Sequence, residues 1–217
     1  MKSNIQIIAL HGAYGSGKDV VGACISDVLR ERGLTCYNRK FGSAVKRAVW
    51  ALTGVPMKVV DDKSYDWAVY DYTREQKAME LPGLGMTLGK MLQIFATDVV
   101  RKSINPDTWI HVLKNELESQ EFADEVSATP TVVIITDLRF PNEEMWLESV
   151  NSINIKVKRP ASMLDDILDG RDRSHQSEQD LHDDGFDHIL HNTGTLEELE
   201  NAAYKLAGML ELDELDV

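Results

Sequence analysis

Runs of apolar and β-branched residues recur along the chain between longer amphipathic stretches. Five such runs predict strands that are buried on both faces, as in a parallel sheet. They are Ile5–Leu10, Thr35–Phe41, Val132–Ile135, Ile153–Val157 and a short final run, His188–Leu190.

Apolar residues at helical spacing predict helices between these strands. The first pattern starts near residue 18, and Gly33 suits its C-terminal cap. The last one opens with Thr195-Leu196-Glu197-Glu198, which has the spacing of a capping box. Its predicted buried side consists of Leu199, Ala202, Ala203, Leu206, Met209 and Leu210. Strands that alternate with helices predict an α/β fold, a three-layer α/β/α arrangement around a parallel sheet.

One connection is too long for a simple crossover between neighbouring strands. It spans residues 42–130 and contains helical patterns at Ala44–Leu52 and Leu88–Arg101. We therefore expect one domain, residues 1–217, with an inserted subdomain at residues 43–130, called the insert below.

The segment between the first strand and the first helix carries the most specific motif. Gly12-Ala13-Tyr14-Gly15-Ser16-Gly17-Lys18-Asp19 has the G-x-x-x-x-G-K spacing of a loop that cradles phosphates, and we call it the phosphate loop. Its glycines let backbone N–H groups face inward, and the following helix directs its positive dipole end at the anion. All eight residues are candidates for binding ATP, and Lys18 adds a mobile positive charge.

Asp19 stands where Ser or Thr usually offers a hydroxyl to Mg²⁺. A carboxylate there can serve the metal directly or through water, because Mg²⁺ prefers hard oxygen ligands. The alternative is that Asp19 only stabilises the helix N-terminus. Both interpretations stay open from the sequence.

In an open parallel sheet, ligands bind beyond the carboxyl ends of the strands. Four segments follow predicted strands: Gly12–Asp19, Gly42–Lys46, Asp137–Asn142 and Arg159–His175. In the third, Asp137 is placed to orient hydrated Mg²⁺. Arg139 is placed to hold a phosphate by a bidentate contact. The alternative is an internal Asp137–Arg139 pair that caps the next helix.

Composition narrows the class of protein. The chain has 217 residues, 43% of them hydrophobic, and a net charge of −13. Such a charge argues against a nucleic-acid-binding surface, so any phosphate site must be a local basic patch. Only Cys24 and Cys36 occur, and no apolar run approaches membrane-spanning length. We expect a cytoplasmic protein with reduced thiols and with neither a membrane nor a nucleic acid as partner.

Several segments together resemble the phage-type deoxynucleoside monophosphate kinases, a family with the P-loop nucleoside monophosphate kinase fold. The resemblance spans nearly the whole chain. Its pieces are residues 16–19 (SGKD), 41–46 (FGSAVK), 92–101 (LQIFATDVVR), Trp109, 136–139 (TDLR), Arg159-Pro160, 175–178 (HQSE) and 192–199 (NTGTLEEL).

The resemblance implies transfer of the ATP γ-phosphoryl group to a deoxynucleoside monophosphate (dNMP) to give the diphosphate, with Mg²⁺ as cofactor. It also implies that the insert binds the acceptor and that a lid segment, residues 159–180, covers the donor phosphates. The implied catalytic residues are Lys18, Arg139, Arg159, Arg171 and Arg173. The implied acceptor-binding residues are Ser43, Lys46, Gln93, Asp98, Arg101, Trp109 and Arg139. The implied metal-binding residues are Asp19 and Asp137. A phage-encoded chain would act in the host cytoplasm. The oligomeric state, a homodimer included, stays open.

The chain departs from the family pattern in the phosphate loop and before the Thr-Asp pair. Tyr14 and Gly15 stand where some members carry a basic residue, and Ala96 replaces a glycine that often precedes the Thr-Asp pair. Two other functions stay open. One is another P-loop small-molecule kinase, of the phosphomevalonate or dephospho-coenzyme A type, and the other is a non-catalytic nucleotide-binding module. Arginines after three separate strands suit two phosphorylated ligands better than one.

Overall fold

The computed structural model describes residues 5–59, 70–126, 129–160, 174–178 and 181–212. The strands of this part are β1 (Ile5–His11), β2 (Thr35–Arg39), β3 (Lys58–Val59), β4 (Tyr70–Asp71), β5 (Glu80–Leu81), β6 (Met86–Thr87), β7 (Thr131–Leu138), β8 (Ile153–Lys158) and β9 (His188–His191). Five of them form the main sheet in the order β2-β7-β1-β8-β9, and every pair in it is parallel. The predicted parallel sheet is therefore confirmed.

The α-helices of the described part are α1 (Lys18–Glu31), α2 (Ser43–Thr53), α3 (Arg74–Ala78), α4 (Leu88–Gln93), α5 (Thr108–Leu117), α6 (Gln120–Glu125), α7 (Pro141–Ser149) and α8 (Leu196–Met209). A π-helix, Ile94–Arg101, directly continues α4, and 3₁₀ turns occur at Gln176–Glu178 and Asp183–Gly185. Within the described residues, every helix falls short of the length and apolar character needed to cross a bilayer.

The sheet separates two apolar cores because side chains of a strand alternate between its faces. Ile8 and Leu10 of β1 join a core that includes apolar residues of α1 and α8. Ile7 and Ala9 join the other core, together with apolar residues of α2, α5 and α7. Both faces are therefore covered by helices, which gives the three layers that the sequence predicts.

Several element boundaries differ from those predicted. The third predicted run is longer than expected, because β7 extends from Thr131 to Leu138 and pairs with His11 of β1 at its end. Asp137 therefore lies inside this strand and not after it. β2 ends at Arg39, so residues 40 and 41 already belong to the following loop. The predicted helix 88–101 is divided into α4 and the π-helix.

The predicted side of α8 is buried at Leu199, Ala203, Leu206 and Leu210 and partly buried at Ala202. The capping box is present, since the Thr195 side chain accepts the N–H of Glu198 and the Glu198 side chain accepts the N–H of Thr195. Met209 is 65% exposed, so its predicted burial is wrong. Ala207 is buried in its place, because it lies one helical turn after Ala203 on the face that packs against α1.

The chain between β2 and β7 holds α2 to α6 and two short antiparallel hairpins, β3–β4 and β5–β6. Its apolar residues share the core that covers one face of the sheet. The boundaries 43–130 of the insert stay a prediction. Of the lid segment, only residues 159–160 and 174–178 are described, so Arg171 and Arg173 lie outside the described residues.

We expect Ile134→Ala to lower the free energy of unfolding by about 2–5 kcal/mol, because Ile134 is fully buried at the centre of the sheet and its loss leaves a cavity. Ile104→Ala is the matched control, since Ile104 is 73% exposed and its loss should change stability by less than about 0.5 kcal/mol. Urea unfolding of both variants measures the difference. Equal effects would contradict the assigned core.

Candidate active site

The phosphate loop is held in a shape that two of its glycines make possible. Gly17 has φ +94°, and a Cβ there would lie 2.5 Å from the Leu199 side chain. A Cβ on Gly12 would lie 2.5 Å from the carbonyl oxygen of Val157. The Asn192 side chain donates to the carbonyl of Ser16 at 2.8 Å. The ends of β8 and β9 and the start of α8 therefore pack directly against the loop.

Lys18 begins α1, and the Asp19 carboxylate lies beside it. Asp19 Oδ2 is 3.8 Å from Lys18 Nζ, and Asp19 Oδ1 is 3.0 Å from Lys40 Nζ. The Thr136 hydroxyl also donates to Asp19 Oδ1, at 2.7 Å. Protein atoms that displace water from the Asp19 carboxylate raise its pKa, but Lys40, Lys18 and the Thr136 hydrogen bond together lower it further, to below its usual range. Asp19 is therefore ionised, with contacts beyond those of a simple helix cap.

Asp137 links the end of β7 to the loop after β2. Its two carboxylate oxygens accept the N–H groups of Phe41, at 3.0 Å, and of Gly42, at 2.9 Å. The first turn of α7 is capped by a different acid. Glu143 Oε2 accepts the N–H groups of Arg139, at 2.9 Å, and Phe140, at 3.1 Å. The alternative in which Asp137 and Arg139 cap that helix is therefore not what the structure shows.

A cavity of about 190 Å³ opens between the phosphate loop and the helices that follow β2, and we call it the insert-side cavity. Its walls include nine of the predicted site residues: Tyr14, Lys18, Asp19, Lys46, Gln93, Arg101, Trp109, Asp137 and Arg139. Ser43 and Asp98 are not among its wall residues. Asp98 bonds instead to Lys102 at 2.6 Å, and its other oxygen is 3.8 Å from His175 Nε2.

The wall formed by α4 and the π-helix carries buried polar groups. Gln93 is 5% exposed and Thr97 is 2% exposed. The Thr97 hydroxyl has no hydrogen-bond partner among the described residues, although a buried polar group usually has one. Trp109 donates its indole N–H to the carbonyl of Ala96 at 3.0 Å, which fixes its ring in the wall. This wall can therefore accept a planar ligand with polar edges.

The insert-side cavity is locally basic although the chain is strongly acidic. Its basic wall residues are Lys18, Lys40, Lys46, Lys77, Arg101 and Arg139, and its acidic ones are Asp19, Asp71, Asp137 and Glu143. Asp71 Oδ2 lies 2.6 Å from Lys46 Nζ, and Asp71 Oδ1 lies 3.5 Å from Lys77 Nζ. Burial raises the pKa of Asp71, but the neighbouring lysines lower it below its usual range. The cavity thus has the local excess of positive charge that a phosphate site requires.

Arg101 and Glu143 form a buried ion pair in the wall of this cavity. Arg101 Nη2 donates to Glu143 Oε1, and Arg101 Nη1 donates to the carbonyl of Pro106 at 2.7 Å. The guanidinium carbon lies 4.0 Å from the centre of the Phe140 ring. Burial, together with the charge of Asp137, raises the pKa of Glu143 to about 7, although Arg101 and two backbone N–H groups lower it.

A second cavity, of about 420 Å³, lies on the other side of the phosphate loop and is called the β9-side cavity. Its walls include Arg159, whose Nη1 donates to the carbonyl of Gly15 at 2.9 Å. They also include Arg74, the first residue of α3, whose guanidinium carbon lies 5.6 Å from the centre of the Tyr14 ring. In the wall of the insert-side cavity, Arg139 Nη1 donates to the carbonyl of Ser177 at 2.7 Å.

Wall residues without a role predicted from the sequence include Lys40, Arg74, Thr97 and Glu143. Lys40 and Arg74 belong to segments whose position depends on tertiary packing. Thr97 lies within Leu92–Arg101, and Glu143 directly follows Asn142. Neither a threonine nor a glutamate at these positions predicts a particular role from the sequence. A strand prediction that ended at Arg39 would have placed Lys40 among the residues to search.

Glu143 couples stability to pH, because its folded-state pKa of about 7 lies above its ordinary value of 4.5. The buried neutral carboxyl contributes stability that is fully present below pH 4.5 and is lost as the pH rises through about 7. We expect the free energy of unfolding of the wild type to fall by roughly 3 kcal/mol over this window relative to Glu143→Gln, which has no proton to lose. Urea unfolding at several pH values measures this difference.

The matched control is Glu148→Gln, an exposed position on the same helix, which should keep the wild-type dependence on pH. Parallel stability curves for Glu143→Gln and the wild type would show that Glu143 does not titrate in this window.

The chain is similar to several known proteins. The family model for deoxynucleotide monophosphate kinases matches residues 18–203. The chain is 25% identical to a deoxynucleoside-5'-monophosphate kinase of Escherichia phage T5, over 69% of this chain and 74% of that one. It is 29% identical to a putative deoxynucleotide monophosphate kinase of Acanthamoeba polyphaga mimivirus, over 88% and 91% of the two chains. A sugar kinase from Janibacter sp. HTCC2649 superposes with a TM-score of 0.44 and 14% identity over 93% of each chain. The match over residues 18–203 shows that this chain belongs to the deoxynucleotide monophosphate kinase family.

Proposed function

We propose that this kinase binds ATP in the β9-side cavity and a dNMP in the insert-side cavity, and that the γ-phosphoryl group crosses between them beside Lys18. The observation that carries the proposal is that the two cavities share Tyr14, Lys18 and Asp19 of the phosphate loop as wall residues. A module that binds one nucleotide needs no second cavity lined with basic side chains.

In the transfer, an oxygen of the acceptor phosphate forms a bond to the γ-phosphorus of ATP. The bond from that phosphorus to the oxygen bridging the β and γ positions breaks, and its electron pair leaves with ADP. The products are ADP and a deoxynucleoside diphosphate. No protein nucleophile is needed, so the protein acts by positioning the two phosphates and by stabilising charge on their oxygens.

On the donor side, the backbone of Gly12–Asp19 would cradle the phosphates and Lys18 would contact the β and γ groups. Arg159 would approach the same phosphates, a proposal supported by its hydrogen bond to the carbonyl of Gly15. Lid roles for Arg171 and Arg173 stay predictions. Closure of a lid would exclude water, which competes with the dNMP as acceptor.

On the acceptor side, Arg139 and Lys46 are the proposed ligands of the dNMP phosphate. Gln93, Thr97 and Trp109 would surround the base, with the two polar side chains at its edge and the indole at its face. Ser43 and Asp98 lie outside the cavity walls, so we assign them no direct contact with the acceptor.

Mg²⁺ is the proposed cofactor, and the residues present fit it. Asp19 is a hard oxygen ligand whose side chain is 62% exposed beside Lys18, where donor phosphates would supply further oxygens. Among the described residues, no cluster of three acidic, His or Cys side chains forms a dedicated metal cage. The ion would therefore be held by Asp19 together with the nucleotide, with Asp137 in a supporting position. When bound, Mg²⁺ offsets negative charge on the phosphates.

Three expectations about the setting of the enzyme stay predictions. A cytoplasmic location is the first, and the free thiols of Cys24 and Cys36 would suit it. A homodimer and the absence of a nucleic-acid partner are further predictions. Gel filtration with and without DNA tests both.

The substrate is tested by measuring ADP release with a panel of dNMPs, phosphomevalonate and dephospho-coenzyme A. Turnover with at least one dNMP, and none with the other two acceptors, supports the proposed reaction. Turnover with phosphomevalonate or dephospho-coenzyme A alone would support the alternative small-molecule kinase, and hydrolysis without transfer would support a nucleotide-binding module.

We expect Lys18→Ala to lower kcat by about 10²- to 10³-fold while the protein stays folded, because this ammonium acts on charge that develops during transfer. Lys114→Ala is the matched control, since Lys114 is exposed on α5 and pairs only loosely with Glu118, at 4.0 Å. Steady-state kinetics and thermal unfolding measure both effects. Activity of Lys18→Ala within a few fold of wild type would contradict the role of the phosphate loop.

Arg139 and Arg101 should behave differently when each is replaced by Ala. For Arg139→Ala we expect the Kd of the dNMP to rise by roughly 10- to 100-fold with ATP binding nearly unchanged, and Lys to rescue only partly. For Arg101→Ala we expect a loss of stability of about 3–5 kcal/mol above pH 7, where Glu143 is ionised and loses its buried partner.

Isothermal titration and urea unfolding distinguish the two outcomes, with Arg47→Ala, an exposed residue of α2, as the control. Equal loss of ATP and dNMP binding in Arg139→Ala would indicate that Arg139 only supports the fold.

A further inference from the structure

Lys40 is a buried basic residue at the centre of the site to which neither the motifs nor the family resemblance assigns a role. It directly follows β2, at the same sheet edge as the phosphate loop, and its side chain is only 14% exposed. The two residues after it are fixed, because the Asp137 carboxylate accepts the N–H groups of Phe41 and Gly42. Lys40 is therefore directed into the insert-side cavity from a rigid point of the backbone.

The Asp19 carboxylate holds Lys40 and Lys18 close to each other. One of its oxygens is 3.0 Å from Lys40 Nζ, and the other is 3.8 Å from Lys18 Nζ. The two ammonium groups therefore flank a single carboxylate. A phosphoryl group that Lys18 contacts from the loop lies within reach of Lys40 from the side of the insert.

Carboxylates lie beside the Lys40 ammonium. Its Nζ is 3.0 Å from Asp19 Oδ1, and it shares the wall of the insert-side cavity with Asp71 and Asp137. The six basic and four acidic wall residues of the insert-side cavity, Lys40 among them, give it a local excess of positive charge. Transfer between two phosphates needs positive charge beside them, because both reactants are anions.

We propose that Lys40 is a further catalytic residue, which donates hydrogen bonds to the transferred phosphoryl group from the acceptor side while Lys18 does so from the donor side. This inference rests on the proposed function. In the transfer, the acceptor oxygen bonds to the γ-phosphorus as the bond to the bridging oxygen breaks, and the electron pair leaves with ADP. Lys40 transfers no proton, and its ammonium stabilises the non-bridging oxygens as the group moves.

A purely structural role for Lys40 makes a different prediction. If Lys40 served only as the partner of Asp19, its loss would lower stability or alter ATP binding and would leave the rate of transfer from bound ATP unchanged. A catalytic role affects mainly kcat, because the contact is strongest when charge moves between the two phosphates. The size of the change in kcat, compared with the changes in Kd and in stability, distinguishes the two roles.

The test compares wild type, Lys40→Met, Lys40→Arg and the exposed control Lys114→Met with the best dNMP acceptor. We expect kcat of Lys40→Met to fall by about 10²- to 10³-fold, with the Kd values of ATP and dNMP, from isothermal titration, changed by less than about 3-fold. Lys40→Arg should regain part of the lost rate, because it keeps the positive charge. Lys114→Met should match the wild type.

An unchanged kcat in Lys40→Met would overturn the proposal, as would a loss that appears only in the Kd values or in the melting temperature. If Lys40→Met does not fold, single-turnover rates of the folded Lys40→Arg and Lys40→Gln variants decide instead, and equal rates for the two would overturn the proposal. A wild type that phosphorylates no dNMP would overturn the proposed function itself, a result distinct from an active wild type with an unaffected Lys40→Met.

Discussion

The parallel pairing of β7 with β1 on one side and β2 on the other is the constraint on which the site depends. It brings three carboxyl ends to one edge of the sheet, so the phosphate loop, Lys40 and Asp137 become neighbours although they are far apart in sequence. The Thr136 hydroxyl, on β7, donates a hydrogen bond to the Asp19 carboxylate at the start of α1, at 2.7 Å. A shift of β7 by one residue would turn each of its side chains to the opposite face and remove the contact of Thr136 with Asp19.

The same edge of the sheet brings several lysine side chains close together, and neighbouring carboxylates stabilise this arrangement. Asp19 lies between Lys18 and Lys40, and Asp71 contacts two further lysines. Each acid offsets repulsion between its lysines while no phosphate is bound. Because charges farther away than about 8–10 Å are screened, the net charge of −13 on the whole chain weakens this local field only slightly. An acidic protein can therefore hold two polyanionic substrates.

The features predicted correctly from the sequence are those with local signals. The glycine spacing identified the phosphate loop, and Thr195 with Glu198 identified the start of α8. The end of β7 was missed because it depends on pairing with His11, and Lys40 was missed because the end of β2 was placed two residues too late. The π-helix and the buried acid Glu143 have no sequence signal of their own, since packing between distant segments determines both.

Arg101 and Arg139 match the same family pattern but differ physically. Both terminal nitrogens of Arg101 already donate to protein acceptors, and turning them to a phosphate would leave Glu143 buried without its partner. Arg101 therefore acts best by holding Glu143, whose other oxygen fixes the backbone of Arg139. One carboxylate thus connects the π-helix to the end of β7. Under the proposed function, a dNMP bound against the π-helix would therefore be linked through this pair to the backbone that positions Arg139.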